Sequence, residues 1–427
     1  MASPALQREP VPTPTMLARW HPLTRVAFRF AFCYLGLYSL IVLSNVEEHL
    51  PYESLWHSIV PWVGRHVLHL AKPITYFPSG SGDKTSDWVL LLCHLAVSVV
   101  ATAVWSIFGR RKEYARLDEW LRVLLRYSAA LTMVSYGAAK VIKLQFPDPS
   151  LGRLLEPLGD VSPMGLLWTF MGLSTPYNFF AGVCELLGVF LLFRRTATLG
   201  AIATAAVMAN VAMLNFAYDV PVKLLSTHVI LMCAYLLIPD TRALFDFFVR
   251  NKAATPAPVT PHFASRRMRI AARVVKTLLL GYVLVSTVIG IRAEVSLYGS
   301  GAPKSPLYGI WNVEEFARDG QTLPLLLTEK TRWRRFVTQR PNGISLRGMD
   351  DVPQAYTVRF DVPKTTIVSD PPGKLLLTWS RPDADHLILT GTVDGHQVSA
   401  RLKRMDDAKT NLLGRGFHWV SELPFNK

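Results

Sequence analysis

The chain has 427 residues, of which 50% are hydrophobic and 18% are charged, whereas about a quarter of an average soluble protein is charged. The apolar excess lies in long runs, which excludes a fully soluble enzyme, a disordered chain and a fibrous repeat. The net charge of +15 is divided among the segments between these runs. Because a nucleic-acid footprint needs one continuous basic face, no nucleic-acid partner is predicted.

Seven apolar runs before residue 293 predict membrane-spanning helices, each of which needs about 20 mostly apolar residues. The runs cover residues 26–44, 88–108, 121–141, 177–193, 196–214, 222–238 and 270–289. Two other segments predict shorter helices. Residues 53–70 carry one apolar face and are typical of a helix lying in the membrane interface. Residues 161–174 are apolar but too short to cross the membrane.

The basic residues predict the orientation, because Lys and Arg concentrate in cytoplasmic loops. They cluster in the segments 1–25, 109–120, 194–195 and 239–269. If all four segments face the cytoplasm, seven crossings place residues from about 293 onward outside. We therefore expect a multi-pass protein of the bacterial inner membrane with a cytoplasmic N-terminus. Its expected partners are the lipid bilayer and a periplasmic or membrane protein.

The predicted organisation has five parts, which differ in composition. They are a cytoplasmic tail (1–25), a helical bundle (26–250), a Pro- and Ala-rich cytoplasmic linker (251–269), a last spanning helix (270–292) and an extracytoplasmic β domain (300–427). In the last part, short alternating runs separated by turn residues predict strands. These runs cover 334–339, 356–360, 374–380, 386–393 and 397–403. With two or three weaker strands they predict an antiparallel barrel or sandwich.

The β domain opens on Tyr308-Gly-Ile-Trp311, which resembles the G-x-W signature at the start of lipocalin-like barrels. The resemblance implies that Trp311 closes one end of a barrel beneath a basic side chain, for which Arg401 and Arg415 are the candidates. An ordinary core tryptophan explains the same residue equally well.

Polar residues inside the apolar runs are the candidate functional residues, because an ionisable group at membrane depth costs several kcal/mol unless it is paired or hydrated. Glu185, Lys140 and His228 are the candidate catalytic residues. The candidate cofactor-binding residues are Tyr136, His94, Asn210, Asn215, Asp219 and Lys223. Each also has a structural explanation, either a hydrogen bond inside the bundle or snorkelling of a long side chain to the interface. Their similar predicted depth favours one polar pocket open toward the outer face.

Residues 121–240 resemble the DoxX-like membrane proteins in the order of several short motifs. These are Gly137-Ala-Ala-Lys140, Ser162-Pro163, Gly182-Val-Cys-Glu-Leu-Leu-Gly188, Leu191-Leu-Phe-Arg-Arg195, Gly200, Met208-Ala-Asn210, Tyr218-Asp-Val-Pro-Val-Lys223, His228 and Pro239-Asp240. The resemblance implies a four-helix unit, here extended by further helices and a β domain. It also implies a redox association, by analogy with a subunit of a thiosulfate:quinone oxidoreductase. The wider group is distantly similar to the helical domain of vitamin K-dependent carboxylases.

Two functional hypotheses follow, and they leave open whether the protein is an enzyme. In the first, it is a component of a quinone-linked oxidoreductase, or a carboxylase-like enzyme acting with a quinone. Quinone is then the expected cofactor, since the sequence carries no haem, flavin or metal signature. In the second, it is a non-enzymatic anchor or assembly protein whose outer β domain binds a partner or an apolar ligand. A transporter is disfavoured because inverted repeats are not evident.

Overall fold

The computed structural model describes residues 20–44, 51–77, 79–253, 265–297, 299, 301–406, 410–424 and 426, without the side chains of 51–53. The predicted N-terminal tail and linker therefore lie largely outside the described residues. Contacts divide the chain into two units. The first comprises Met1–Ala138 and Gly182–Thr277, and the second comprises Ala139–Ala181 and Leu278–Lys427.

The part of the chain before the β domain is helical. Its α-helices are α1 (Pro22–Ser44), α2 (Pro51–His66), α3 (Thr85–Phe108), α4 (Ala115–Val141), α5 (Pro163–Leu173), α6 (Thr175–Leu186), α7 (Ala197–Ala217), α8 (Lys223–Leu237), α9 (Thr241–Phe248) and α10 (Arg266–Leu297). Short 3₁₀ helices cover Arg153–Leu155, Leu158–Asp160, Leu187–Leu192, Arg194–Thr196 and Ile238–Asp240. All seven predicted long helices are present among them.

Six helical segments in the described residues are long and apolar enough to cross a membrane. They contain α1, α3, α6 with its 3₁₀ extension, α7, α8 with α9, and α10. The remaining predicted span, α4, has the length but is not among these six, and it carries six charged residues. Two of its arginines are held inside the first unit by backbone carbonyls. Arg122 donates to the backbone carbonyl oxygens of Tyr235 and Leu236, both at 3.3 Å. Arg126 donates to the backbone carbonyl oxygen of Leu191 at 2.8 Å.

The two shorter predicted helices are also present. On α2, Trp56 and Val60 are buried whereas Trp62 is 58% exposed, so this helix is amphipathic as predicted. The short apolar helix α5 begins after Ser162, whose hydroxyl accepts a hydrogen bond from the Gly165 amide at 3.0 Å. A serine at this position satisfies a backbone donor that has no partner within the helix.

Glycines let α4 lie directly against α6 and its 3₁₀ extension. A Cβ on Gly137 would lie 2.8 Å from the Gly182 carbonyl oxygen, and a Cβ on Gly188 would lie 2.4 Å from Cβ of Met133. Real Cβ atoms are not found so close to another heavy atom, so larger residues would force the helices apart. This contact explains the spacing of the glycines in the two motifs, which the sequence alone did not.

The β domain is a closed antiparallel barrel of eight strands with one short additional strand. The strands are β1 (Gly309–Arg318), β2 (Gln321–Thr322), β3 (Trp333–Thr338), β4 (Gly343–Gly348), β5 (Pro353–Asp361), β6 (Thr366–Ser369), β7 (Leu375–Ser380), β8 (His386–Val393) and β9 (His396–Met405). Neighbours in sequence pair around the barrel, and β1 closes it by pairing with β9, while β2 pairs only with β1. All five predicted strands are confirmed. Because the pairing of β1 with β9 closes the sheet, the domain is a barrel and not a sandwich.

Trp311 lies inside the barrel, 1% exposed, and donates from Nε1 to the Leu307 carbonyl oxygen at 2.9 Å. The guanidinium carbon of Arg381 lies 5.5 Å from the Trp311 ring centroid. The expected basic partner was therefore wrong. Arg401 lies between the inward-facing Ala400 and Leu402, and alternation along a strand turns it outward.

The prediction that Arg415 covers Trp311 was also wrong. Arg415 lies beyond the last strand and donates to Ser421 Oγ at 3.2 Å. A further arginine, Arg332, has an inward position that sequence reasoning missed. It is 1% exposed and donates hydrogen bonds to carbonyl oxygens, among them those of Trp333 at 2.9 Å and Glu314 at 3.0 Å.

Within the second unit, the segment after α4 packs against the outer wall of the barrel. Leu151 forms a buried cluster with Ile310 and Val337, two outward-facing residues of β1 and β3. Arg347 of β4 donates to the Gly152 carbonyl oxygen at 3.0 Å, and Gln339 accepts from the Leu151 amide at 3.1 Å. The segment and the barrel therefore lie on the same side of any membrane.

We expect Arg347→Ala to loosen residues 150–155 from the barrel while leaving the barrel folded. The substitution removes the guanidinium bonds to the carbonyl oxygens of Gly152 and Leu155, and hydrogen bonds from charged groups are worth about 1.5–3 kcal/mol each. Hydrogen exchange followed by mass spectrometry measures this as faster exchange in 150–155. The control is Arg359→Ala, because the exposed Arg359 pairs with Asp370. Unchanged exchange in 150–155 would contradict the docking role of Arg347.

Candidate functional site

A cavity of about 330 Å³ lies in the first unit, at the ends of four helices. The distribution of basic residues predicts that these helix ends lie on the outer side of the membrane. Aromatic and charged side chains share the lining with aliphatic ones. The lining residues are Tyr38, Ile41, Val42, Gly80, Ser81, Gly82, Lys84, Asp87, Leu90, Leu91, Tyr136, Val222, Leu224 and Leu225. The cavity thus combines apolar walls with a few polar groups, the usual composition of a small-molecule site.

The loop before α3 joins the cavity to the start of α8. Asp83 accepts hydrogen bonds from the backbone amides of Lys223 at 2.7 Å and Leu224 at 3.0 Å. The Gly82 amide donates to the Pro221 carbonyl oxygen at 2.8 Å. A carboxylate at a helix N-terminus satisfies free amides and interacts favourably with the helix dipole. Asp83 therefore holds α8 against the loop that lines the cavity.

His228 lies one turn deeper on α8 and is 3% exposed. Its Nδ1 lies 2.7 Å from the Leu224 carbonyl oxygen, and its Nε2 lies 2.8 Å from the Tyr34 hydroxyl. Because a carbonyl oxygen only accepts, Nδ1 carries the proton and Nε2 accepts from Tyr34. The ring also stacks on Tyr38 with centroids 3.7 Å apart, which links His228 to the cavity wall.

His94 lies beside this group on α3. It is fully buried, and its ring meets that of Trp56 edge-on at 4.8 Å. His94 and His228 each lie one turn beyond a leucine that lines the cavity, Leu90 on α3 and Leu224 on α8.

Tyr136 and Glu185 form a second group on the contact between α4 and α6. Tyr136 lines the cavity, Glu185 is 2% exposed, and both lie close in sequence to the point where the two helices meet. Gly137 and Gly182 allow this proximity, since a Cβ on the first would meet the carbonyl of the second. The predicted acid, Glu185, therefore lies near Tyr136 of the cavity lining.

Two candidate residues lie elsewhere. Lys140 is 6% exposed and belongs to the second unit, where its ammonium lies 5.7 Å from the Phe146 ring centroid. Asn210 is exposed on α7 and does not line the cavity. The sequence assigned Asn210 to the pocket by depth alone, but depth does not determine which side of a helix faces inward.

The remaining candidates surround the turn between α7 and α8. Asn215 is buried and donates to Ser226 Oγ at 3.2 Å. Asp219 and Lys223 form the predicted pair four residues apart, with 2.9 Å between Oδ1 and Nζ, and the Asp219 side chain is 86% exposed. These contacts connect the turn and the start of α8, so the three residues support the cavity rather than line it.

Sequence reasoning missed five residues of this region: Tyr34, Tyr38, Asp83, Lys84 and Asp87. The tyrosines are four apart inside an apolar run, which places them on one helix face, and this spacing was the available signal. Asp83 lies in a loop, where its pairing with a distant helix start leaves no local pattern.

A second cavity, of about 460 Å³, opens at the end of the barrel far from Trp311. Its apolar lining consists of Phe316, Trp333, Leu346, Val352, Pro353, Val393 and Val398, and its polar lining includes Arg318, Lys330, Thr331, Asp350, Gln354 and Asp394. Beside it, Tyr356 donates to Asp394 at 2.6 Å. Burial and this bond raise the pKa of Tyr356 well above its usual value.

We expect Asp83→Ala to destabilise the first unit by about 1 kcal/mol, the usual cost of losing a helix-capping side chain. Thermal unfolding of the purified protein in detergent measures the change. The matched control is Asp219→Ala, which removes the other carboxylate beside Lys223. Because Asp219 is exposed, its loss is expected to cost no more than about 0.5 kcal/mol. Equal effects of the two substitutions would show that Asp83 does not cap α8.

Comparison with known proteins identifies a relative but not a function. No protein-family model matches the chain, and no solved structure matches it. The uncharacterized protein YwoB of Bacillus subtilis is 35% identical over 143 residues, which cover 33% of this chain and 88% of YwoB. A match over nearly the whole of YwoB at this identity shows common descent. The chain therefore belongs to the same protein family as YwoB.

Proposed function

We propose that the chain is a multi-pass protein of the bacterial inner membrane, with a cytoplasmic N-terminus and an extracytoplasmic barrel. The six long apolar helical segments support the membrane location, and the distribution of basic residues supports the orientation. The packing of Leu151 against the barrel supports it further, because the topology places residues 143–176 and the barrel on the same outer side.

The first unit is proposed to bind the head group of a membrane quinone in the cavity between Tyr38 and Tyr136. A quinone ring is flat and apolar and has two carbonyl oxygens that accept hydrogen bonds. The cavity supplies aliphatic walls, two phenols and the Lys84 side chain, and its volume falls at the lower end of the range for small-molecule sites. Its position at helix ends leaves the isoprenoid tail of the ligand in the lipid. The single observation that carries the proposal is this cavity.

The resemblance of the motif order to that of DoxX-like proteins supports a redox role at this site. Glu185, near the crossing of α4 and α6 where Tyr136 also lies, supplies a protonatable group, and His228 behind Tyr38 supplies another. In a quinone-linked oxidoreductase these groups would exchange protons with the bound head group, and electrons would come from a partner protein.

We expect Tyr136→Phe to weaken quinone binding about five-fold, the effect of losing one hydrogen bond worth about 1 kcal/mol. The protein is purified in lipid nanodiscs, its bound small molecules are extracted and identified, and a short-chain quinone is titrated by calorimetry. The control is Tyr127→Phe on the same helix, because Tyr127 does not line the cavity. Its affinity is expected to equal that of the unsubstituted protein. A preparation that neither contains nor binds quinone would contradict the proposal.

The cavity at the barrel mouth favours a second function, a non-enzymatic one, in which the barrel binds an apolar ligand. The connection between β2 and β3 contributes Lys330 and Thr331 to the mouth. The same connection exposes three consecutive leucines, Leu325, Leu326 and Leu327, by 54–74%. An exposed apolar rim around an apolar floor is suited to the chain of a lipid-like ligand.

We expect Thr331→Trp to fill the barrel mouth and to abolish labelling by a photoactivatable fatty acid. Mass spectrometry of the irradiated full-length protein locates labelled peptides in the unsubstituted barrel, which are expected in 316–354. The matched control is Thr390→Trp, because Thr390 is exposed on β8 and does not line the mouth. Equal labelling of the two variants would exclude the mouth as the ligand site. Glu185→Gln separates the two functions, since it is expected to weaken quinone binding and to leave fatty-acid labelling unchanged.

A further inference from the structure

The segment after the barrel, residues 410–424, exposes six large apolar side chains. Trp419 is 92% exposed, Leu423 80%, Phe417 77% and Val420 72%. Two leucines of the short helix α11 (Asn411–Gly414) add to them, since Leu412 is 46% and Leu413 38% exposed. A surface of this kind in a short segment marks a contact with another apolar phase. We call residues 410–424 the tail.

The barrel register shows where the tail begins. The last strand, β9, ends at Met405, which pairs with Ile310 at the start of β1. At the same end of the barrel, Arg340 in the turn between β3 and β4 donates to the Leu297 carbonyl oxygen at 3.3 Å. Leu297 is the last residue of α10, an apolar helix long enough to cross a membrane. The tail therefore leaves the barrel at the end that α10 reaches.

The distance available to the tail fits this location. Four residues lie between Asp406 and the start of α11, and an extended chain spans at most about 3.3–3.6 Å per residue. The first leucines of α11 therefore remain within about 25 Å of the end of β9.

The composition of the tail favours a lipid surface as its partner. Trp and other aromatic residues are enriched at the membrane interface, where an apolar ring and a polar edge are both satisfied. Arg415 and His418 lie among the apolar residues, and a basic side chain near such residues strengthens contact with anionic head groups. Glu422 is the acidic residue of this segment.

We propose that the tail lies in the outer interface of the membrane, with Phe417, Trp419, Val420 and Leu423 inserted among the lipids. The barrel then has two attachments at the same end, α10 and the tail. A barrel attached twice at that end directs its opposite end, with the mouth lined by Phe316 and Trp333, away from the membrane. This inference rests on the placement of α10 in a membrane and not on either ligand proposed above.

The test measures the depth of a spin label on the tail in the full-length protein. The four cysteines are replaced by alanine, Ser421→Cys carries a nitroxide, and the protein is reconstituted in vesicles containing phosphatidylglycerol. We expect collisions with oxygen, which concentrates in lipid, to exceed those with a water-soluble nickel chelate several-fold. The control label is at Ser399→Cys, which is exposed on β9 near its other end, and there the chelate is expected to dominate.

A second variant separates insertion from other causes of protection. Phe417→Ser with Trp419→Ser is expected to move the label at position 421 into water, and the barrel is expected to remain folded because both side chains are exposed. A label at 421 as accessible to the chelate as one at 399 would overturn the proposal. A label shielded from both oxygen and chelate would also overturn it, because the tail would then dock on protein.

Discussion

The crossing of α4 and α6 in the first unit is a close backbone approach that leaves no room for side chains. Gly137 has no room for a Cβ beside the Gly182 carbonyl, and Gly188 has none beside Met133. A second close contact follows along the chain, where a Cβ on Gly200 of α7 would lie 2.6 Å from the Leu191 amide nitrogen. Between helices with few polar partners, such contacts bring backbones close enough for dispersion forces to hold them. The same contact places Glu185 beside Tyr136, so the candidate site is a consequence of how the helices pack.

A second constraint is that polar groups in apolar helices need partners inside the protein. Arg126 is bonded to the Leu191 carbonyl, and His228 uses both ring nitrogens. Asp83 supplies acceptors to the first amides of α8. Except for the contact between His228 and Leu224 within α8, these contacts join elements that are far apart in sequence. Those of Asp83 and His228 lie next to residues that line the cavity. Residues that form hydrogen bonds with polar groups of the helices therefore lie next to residues that would bind a ligand.

The barrel distributes its functions between its two ends. One end holds Trp311, the contact between Arg340 and Leu297, and the start of the tail. The other end holds the mouth, whose lining is both apolar and polar. The outer wall between β1 and β4 carries the docked segment around Leu151. The attachments of the barrel and its open cavity therefore lie on different parts of its surface.

The sequence by itself determined the helices, the β domain and most of the strands, because hydrophobic periodicity and turn residues are local signals. It also found that Glu185, His94 and His228 are buried polar residues. Only the tertiary structure decided which of them meet. The predicted positions of Asn210 and Arg401 were wrong because depth and chain position do not show which face of a helix or strand turns inward. The charged arginines of α4 are accommodated because they donate hydrogen bonds to backbone carbonyl oxygens of other helical segments. Closure of the barrel, the role of Asp83 and the partner of Trp311 likewise depend on residues far apart in sequence, whose contacts leave no periodic pattern to detect.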